Sequence, residues 1–169
     1  MLQSEKRETQ TIELEPPGPE DGYAINQLIA NCPPLDTNSV YCNLLQATHF
    51  ADTSMCARKD GKLVGFVSGY LIPNRPDTLF IWQVAVDESA RGMGLASKML
   101  DKIITRQVCK NVNFLETTIT DSNDSSWRLF DKLAKQLKAG TNTSTAFHKD
   151  KHFNGHHDSE QLLRVGPIS

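Results

Sequence analysis

Apolar residues recur along this chain with two spacings, every second position or every third to fourth, and the changes of spacing fall at Gly and Pro. Thr11 to Leu14 reads as a short strand closed by Pro16-Pro17-Gly18-Pro19. Pro19 then opens a helix with Glu20 and Asp21 in its first turn, where negative charge meets the positive helix end. Tyr23, Ile25, Leu28 and Ile29 form its inner stripe, and it stops before Pro33-Pro34. A second helix, capped by Asp36 or Thr37, turns Val40, Leu44 and Leu45 inward. Met55 to Arg58 and Lys62 to Leu71 are strands meeting at Asp60-Gly61, a pair that accepts positive φ. Asn74-Arg75-Pro76-Asp77 makes the next turn, followed by a strand over Leu79 to Val86. From Gly92 to about Cys109 the period is helical, with Leu95, Met99, Ile103 and Ile104 on one side. A strand over 113–119 and a helix over 124–137 follow, 140–154 is polar without a clear period, and Leu162 to Val165 is a last strand. Residues 1–10 are polar and expected to be disordered, leaving 11–169 as one domain without internal repeats.

Charge narrows the partners. With 18 basic and 20 acidic side chains the net charge is -2, so no overall field favours nucleic acid or an anionic membrane. No apolar run approaches the ~20 residues of a membrane span, and the polar start is unlike a signal sequence. These features imply a cytoplasmic protein with small-molecule partners. Cys32, Cys42, Cys56 and Cys109 lack Cys-x-x-Cys spacing and suit reduced thiols, with a disulfide pair left open.

The densest chemistry lies in Arg91-Gly92-Met93-Gly94-Leu95-Ala96, between a strand and an amphipathic helix. Two residues without Cβ let successive N–H groups turn toward one anion, and the following helix adds its positive end. A Walker loop would need Gly-Lys-Ser/Thr, and a dinucleotide fold Gly-x-Gly-x-x-Gly; neither occurs here. Arg91, Gly94 and Ala96 fit Arg-x-x-Gly-x-Ala, which resembles the acetyl-coenzyme A signature of the GNAT acetyltransferase superfamily. The resemblance implies an α/β fold of the α+β type. Its mixed, mostly antiparallel sheet has six to seven strands and about four flanking helices, and it splits at strands 4 and 5 to admit acetyl-coenzyme A. It also implies that the backbone at Val84, Ala85 and Val86 carries an irregularity that frees an N–H for the thioester. Asn123-x-x-Ser126-x-x-Leu129-Phe130 is a second matching segment, which puts Asn123 near the pantetheine and Phe130 beside the thiol. Many superfamily members carry tyrosine at that place; phenylalanine has no proton to give, so tyrosine catalysis is not carried over.

Residues 32–41, 81–86, 115–120 and 163–167 extend the match, in order, to the L-2,4-diaminobutyrate N4-acetyltransferases of the ectoine pathway. That family implies a homodimer, no metal, and direct attack of the diamine on the thioester in a ternary complex. The attacking ammonium must lose a proton, and Glu116 is the candidate base: it shares a strand face with Thr118 and Thr120, opposite Leu115 and Ile119. A salt-bridged carboxylate would show the same pattern. Asp36 is as much a helix cap as an ammonium contact; Asn38, Tyr41, Trp82, Thr118 and His157 complete the candidate substrate contacts, with Trp82 and Tyr41 equally placed for the core. Arg75 and Arg164 are open candidates for the substrate carboxylate. His148, His152 and His156 are spaced by four, but Asn154-Gly155 interrupts a helix there and no ligand set is completed, so no metal is expected. Two other functions fit the same residues: acetylation of another small amine or polyamine, and a non-catalytic acyl-coenzyme A-binding module.

Overall fold

In chain order the elements are β1 (Ile12–Glu15), α1 (Gly22–Ala30), α2 (Val40–Thr48), β2 (Met55–Lys59), β3 (Lys62–Ile72), β4 (Arg75–Val86), α3 (Leu95–Ile104), β5 (Phe114–Thr120), α4 (Asp124–Gln136), β6 (Thr141–Phe147), α5 (Lys149–Phe153) and β7 (Glu160–Val165). They come from a computed structural model that describes residues 11–168, so the expectation for residues 1–10 lies outside the described residues. The seven strands form one sheet in the order β1-β2-β3-β4-β5-β7-β6. Every neighbouring pair is antiparallel except β4 and β5, which α3 joins by a parallel crossover.

Helices cover both faces. On one, α3 and α4 bury Leu95, Met99, Ile103 and Leu133 against Leu79, Ile81, Leu115 and Val165. On the other, Ile25, Leu28 and Ile29 of α1 pack on Cys56, Phe66 and Ala85. Each such buried side chain contributes roughly 1.5–3 kcal/mol against exposure. All four cysteines are free, and burial pushes the Cys56 thiol up to about 12.

Several boundaries move for identifiable reasons. Pro19–Asp21 is a single 3₁₀ turn ahead of α1, and Tyr23 is exposed rather than inward. Ser39 caps α2, its hydroxyl accepting from the Cys42 N–H at 3.1 Å; Asp36 and Thr37 do not. That helix buries Asn43, Gln46 and Ala47 while Val40 is exposed, because its contact with α1 is polar: Asn26 donates to Asn43 (3.0 Å), and Asn43 to Gln46 (2.9 Å). Apolar periodicity is blind to such a seam. β4 starts at Arg75, leaving only Pro73 and Asn74 in the turn. α3 ends at Ile104, where the Thr105 hydroxyl donates to the last-turn carbonyls of Asp101 and Lys102. The ambiguous 140–154 region holds β6 and α5.

What positions the site is a fork. β4 and β5 pair only from Thr78↔Phe114 to Ile81↔Thr117, and the Thr117 hydroxyl donates to the Ile81 carbonyl (2.9 Å) where they part. At the same level β4 bulges: Ser68 pairs with Gln83 and Gly69 with Ile81, leaving Trp82 as the extra residue. Gly69 is required there, since a Cβ would come within 2.9 Å of the Phe80 and Thr53 carbonyl oxygens.

Candidate active site

The fork opens a cleft of about 580 Å³ between β4 and β5, walled by residues 81–84 and 117–120, the start of α4, the loop before α2 and the segment before β7. Past Ile81 the β5-facing edge of β4 has no strand partner, while Val84, Ala85 and Val86 keep a regular ladder with Val67, Phe66 and Gly65 on the other side. The irregularity expected at Val84–Val86 therefore sits earlier, at Trp82. Of the three residues only Val84 lines the cleft, while Ala85 is buried and Val86 half-buried.

The glycine loop follows β4. Gly92 (φ 79°) and Gly94 (φ 68°) both occupy the left-handed region, and a Cβ at either would meet only open space. Gly94 is the N-cap of α3. Among the described residues, none of the backbone N–H groups of residues 92–97 donates to a protein acceptor. That row of free donors at a helix N-terminus fits a pyrophosphate. Arg91 ties the loop to the sheet, its Nε donating to the Val86 carbonyl at 3.2 Å. Leu95 packs into the core, so only its backbone is available to a ligand, whereas Met93 is exposed and Ala96 half-buried. Further along the cleft, Asn123 caps α4 by accepting from the Ser126 N–H (3.3 Å), and buried Phe130 lines the wall.

In the cleft wall, Asp36, His157 and Glu160 bring their ligand atoms within 4.8 Å of one another. His157 Nε2 lies 3.1 Å from Asp36 Oδ2, and Nδ1 lies 2.6 Å from the Asp158 carbonyl oxygen. Both partners are acceptors, so the imidazolium, with two N–H groups, satisfies both. Its pKa is accordingly raised, by the Asp158 carbonyl first and by Asp36 as well. The three side chains thus place two acidic groups beside one imidazole in the cleft wall. Burial raises the Glu160 carboxyl, with His157 and a hydrogen bond from Thr118 opposing it. The sequence-spaced histidines do other work: the His148 N–H donates to His152 Nδ1 (2.7 Å), and His148 Nδ1 accepts from the Asp150 N–H (3.1 Å).

Known proteins share this architecture and the sequence that builds it. The model of the acetyltransferase (GNAT) family matches residues 23–134. L-2,4-diaminobutyric acid acetyltransferase of Methylotuvimicrobium alcaliphilum is 52% identical over 157 residues, covering 93% of this chain and 91% of that protein. The Halomonas elongata protein of the same description is 46% identical over 95% of this chain and 84% of its own length. The chain belongs to the diaminobutyrate acetyltransferases of the GNAT family. Among solved structures, diaminobutyrate acetyltransferase EctA from Paenibacillus lautus, in complex with L-2,4-diaminobutyric acid and coenzyme A, is similar at TM-score 0.90 and 36% identity, over 94% of this chain and 96% of that one. The Escherichia coli ribosomal-protein-S18-alanine N-acetyltransferase, at TM-score 0.73 and 14% identity, shares the fold.

Against this GNAT cleft, the sequence-derived site divides. Asp36, Asn38, Trp82, Thr118 and His157 line it together with Val84, Asn123 and Phe130. Tyr41 does not, being 70% exposed on α2, and Ala85, Val86, Arg91, Gly92, Met93, Gly94, Leu95 and Ala96 also lie outside the lining. Glu116 is a correction as well. It is 3% exposed and outside the lining; Oε1 accepts from Arg75 Nη1 and Arg164 Nη1, both at 2.8 Å, and Oε2 from Arg75 Nη2 at 2.9 Å. Hydrogen bonds from Arg75 outweigh burial and hold its carboxyl below the usual range, the reverse of what a base for an ammonium needs. The same clamp engages Arg75 and Arg164, and neither lines the cleft. Sequence reasoning missed Glu160 and Gln83. Glu160 stands three residues after His157, at the start of β7, and that proximity was the available signal.

Proposed function

We propose that this protein transfers the acetyl group of acetyl-coenzyme A to the N4 amine of L-2,4-diaminobutyrate, giving N4-acetyl-L-2,4-diaminobutyrate and coenzyme A in ectoine synthesis. One observation carries the reading: the cleft at the β4–β5 fork is lined by two carboxylates around a histidine, and the loop that follows the forked strand β4 carries a row of free amides suited to a pyrophosphate. Acetyl-coenzyme A supplies the thioester, and this chain supplies the placement. Edge N–H groups of β4 beyond the Trp82 bulge hold the carbonyl oxygen as negative charge grows on it, a contribution of typically ~3 kcal/mol per donor. Asp36 and Glu160 draw in the ammonium groups of the substrate, whose two positive charges outnumber its one carboxylate. Glu160, whose carboxyl is raised, takes the proton from the attacking amine while His157 keeps the two acids apart. None of the four cysteines lines the cleft, in keeping with direct attack rather than an acetyl-enzyme. The coenzyme thiolate is a tolerable leaving group, so Phe130 need not donate a proton.

Mass spectrometry of the product formed from diaminobutyrate, with the acetylated nitrogen located by fragmentation, tests the assignment. The expected product carries the acetyl group on N4. A higher kcat/KM for 1,3-diaminopropane or spermidine than for diaminobutyrate would replace it with a general amine acetyltransferase, and amine recovered unchanged would leave only a coenzyme-binding module. The reading includes a homodimer and a cytoplasmic setting. Supporting the first, β6 is an edge strand whose outer side is unpaired and whose residues are nearly all exposed. For the second, no helix among the described residues is long and apolar enough to cross a membrane.

A further inference from the structure

Gln83 sits at the base of the fork, 8% exposed, and nothing in the acetyl-transfer chemistry uses it. The extra residue at Trp82 places it: after the bulge, the Gln83 N–H is satisfied by the Ser68 hydroxyl (3.1 Å). Its side chain reaches across to the loop that carries Asp36. Nε2 donates to the Asp36 carbonyl oxygen (2.8 Å), and Oε1 accepts from Asn38 Nδ2 (3.0 Å). The loop is held from behind too, by Asn26 Nδ2 donating to the Asn38 carbonyl oxygen (2.8 Å). These bonds place the backbone of Asp36 against β4, so its carboxylate meets His157 arriving from the far side of the cleft at 3.1 Å.

We propose that Gln83 is a positioning residue for the acceptor amine, a latch that keeps the Asp36 loop in register with the strand edge along which the thioester lies. The inference rests on the acceptor site proposed above. The chemistry of the amide explains why this residue type stands here. The loop offers one backbone acceptor and one side-chain donor, and a primary amide answers both at once. Glutamate would keep the bond from Asn38 but turn an oxygen toward the Asp36 carbonyl oxygen; methionine, similar in length, would answer neither and leave both partners unpaired in a buried place. The glycine loop at Arg91, Gly92 and Gly94, to which the coenzyme is assigned, shares no hydrogen bond with Gln83. The latch therefore governs one substrate and leaves the other alone.

Steady-state kinetics of Gln83→Met and Gln83→Glu test this, with both substrates varied, together with hydrogen–deuterium exchange of the free proteins. The expected result is a KM for diaminobutyrate raised about tenfold or more, a KM for acetyl-coenzyme A within twofold of wild type, and faster exchange across residues 35–43 with residues 95–104 unchanged. A diaminobutyrate KM within twofold of wild type in both variants overturns the proposal, and so does an equal rise in both KM values, which marks a general distortion of β4. Should wild type prove inactive on diaminobutyrate, the functional reading fails by itself. The exchange data then decide the latch: unchanged exchange over 35–43 in both variants overturns it. A variant that does not fold is replaced in both readings by its partner, since Glu keeps one of the two bonds.

Discussion

Two carboxylates on neighbouring strands, Glu116 and Glu160, divide stability from chemistry. Glu116 is clamped by two arginines, and its carboxyl is held below the ordinary range, so its unfolded form binds a proton first on acidification. Its contribution is complete above the ordinary carboxylate pKa of about 4.3 and is lost as pH falls through the folded value. Glu116→Gln should cost about 1–3 kcal/mol in urea unfolding at pH 7, because it unbalances a buried ion pair whose arginines are partly exposed, and the gap from wild type should narrow below about pH 4. Turnover at saturating substrates should stay within tenfold of wild type. Glu160 behaves oppositely. Its raised carboxyl costs stability as pH rises, so Glu160→Gln should melt higher than wild type at pH 8 while kcat drops 10²- to 10⁴-fold and the acidic limb of the pH–rate profile disappears. The polarity of the β5 face was legible in the sequence, where Glu116, Thr118 and Thr120 invert the apolar alternation. Its meaning was not: the arginines that settle the role of Glu116 lie 41 and 48 residues away.

Elements with strong period and clear punctuation were legible almost to the residue. β3 and α4 answer to their patterns within a residue or so, and the glycine loop stands where its spacing put it. The failures cluster where side-chain hydrogen bonds replace apolar contact, as in the amide seam between α1 and α2, or where a strand is polar because it forms an edge, as in β6. Within the loop, Gly94 gives the sharpest test. Val at that position would be strained by φ 68°, and its branched side chain would project into the open space in front of the loop. Gly94→Val should lose about 1–2 kcal/mol of stability and raise the KM for acetyl-coenzyme A at least tenfold, with the diaminobutyrate KM little changed. Equal effects on both KM values would show that the loop shapes the whole cleft rather than the donor end.

The whole molecule is a sheet that is paired at its centre, forked between β4 and β5, and bare along β6. The bare edge predicts that sedimentation equilibrium at micromolar concentration will give twice the chain mass, and that Phe147→Asp, at the end of the edge strand, will shift the protein toward monomer. A single species of chain mass in the wild type would show that the edge is left open. Another property of the sheet reaches into how the protein is made. Among the described strands β7 is the last in chain order, yet it lies between β5 and β6, and the Asp36 partner His157 and the carboxylate of Glu160 arrive with it. A nascent chain halted after Phe147 already owns the fork strands, the glycine loop and the acceptor loop, but β6 has no strand to join. Such a fragment keeps Asp36 but lacks His157 and Glu160, two of the three side chains of the acceptor cluster. The acceptor cluster is therefore assembled from both ends of the sheet's chain order, one carboxylate from the loop before α2 and the other from β7.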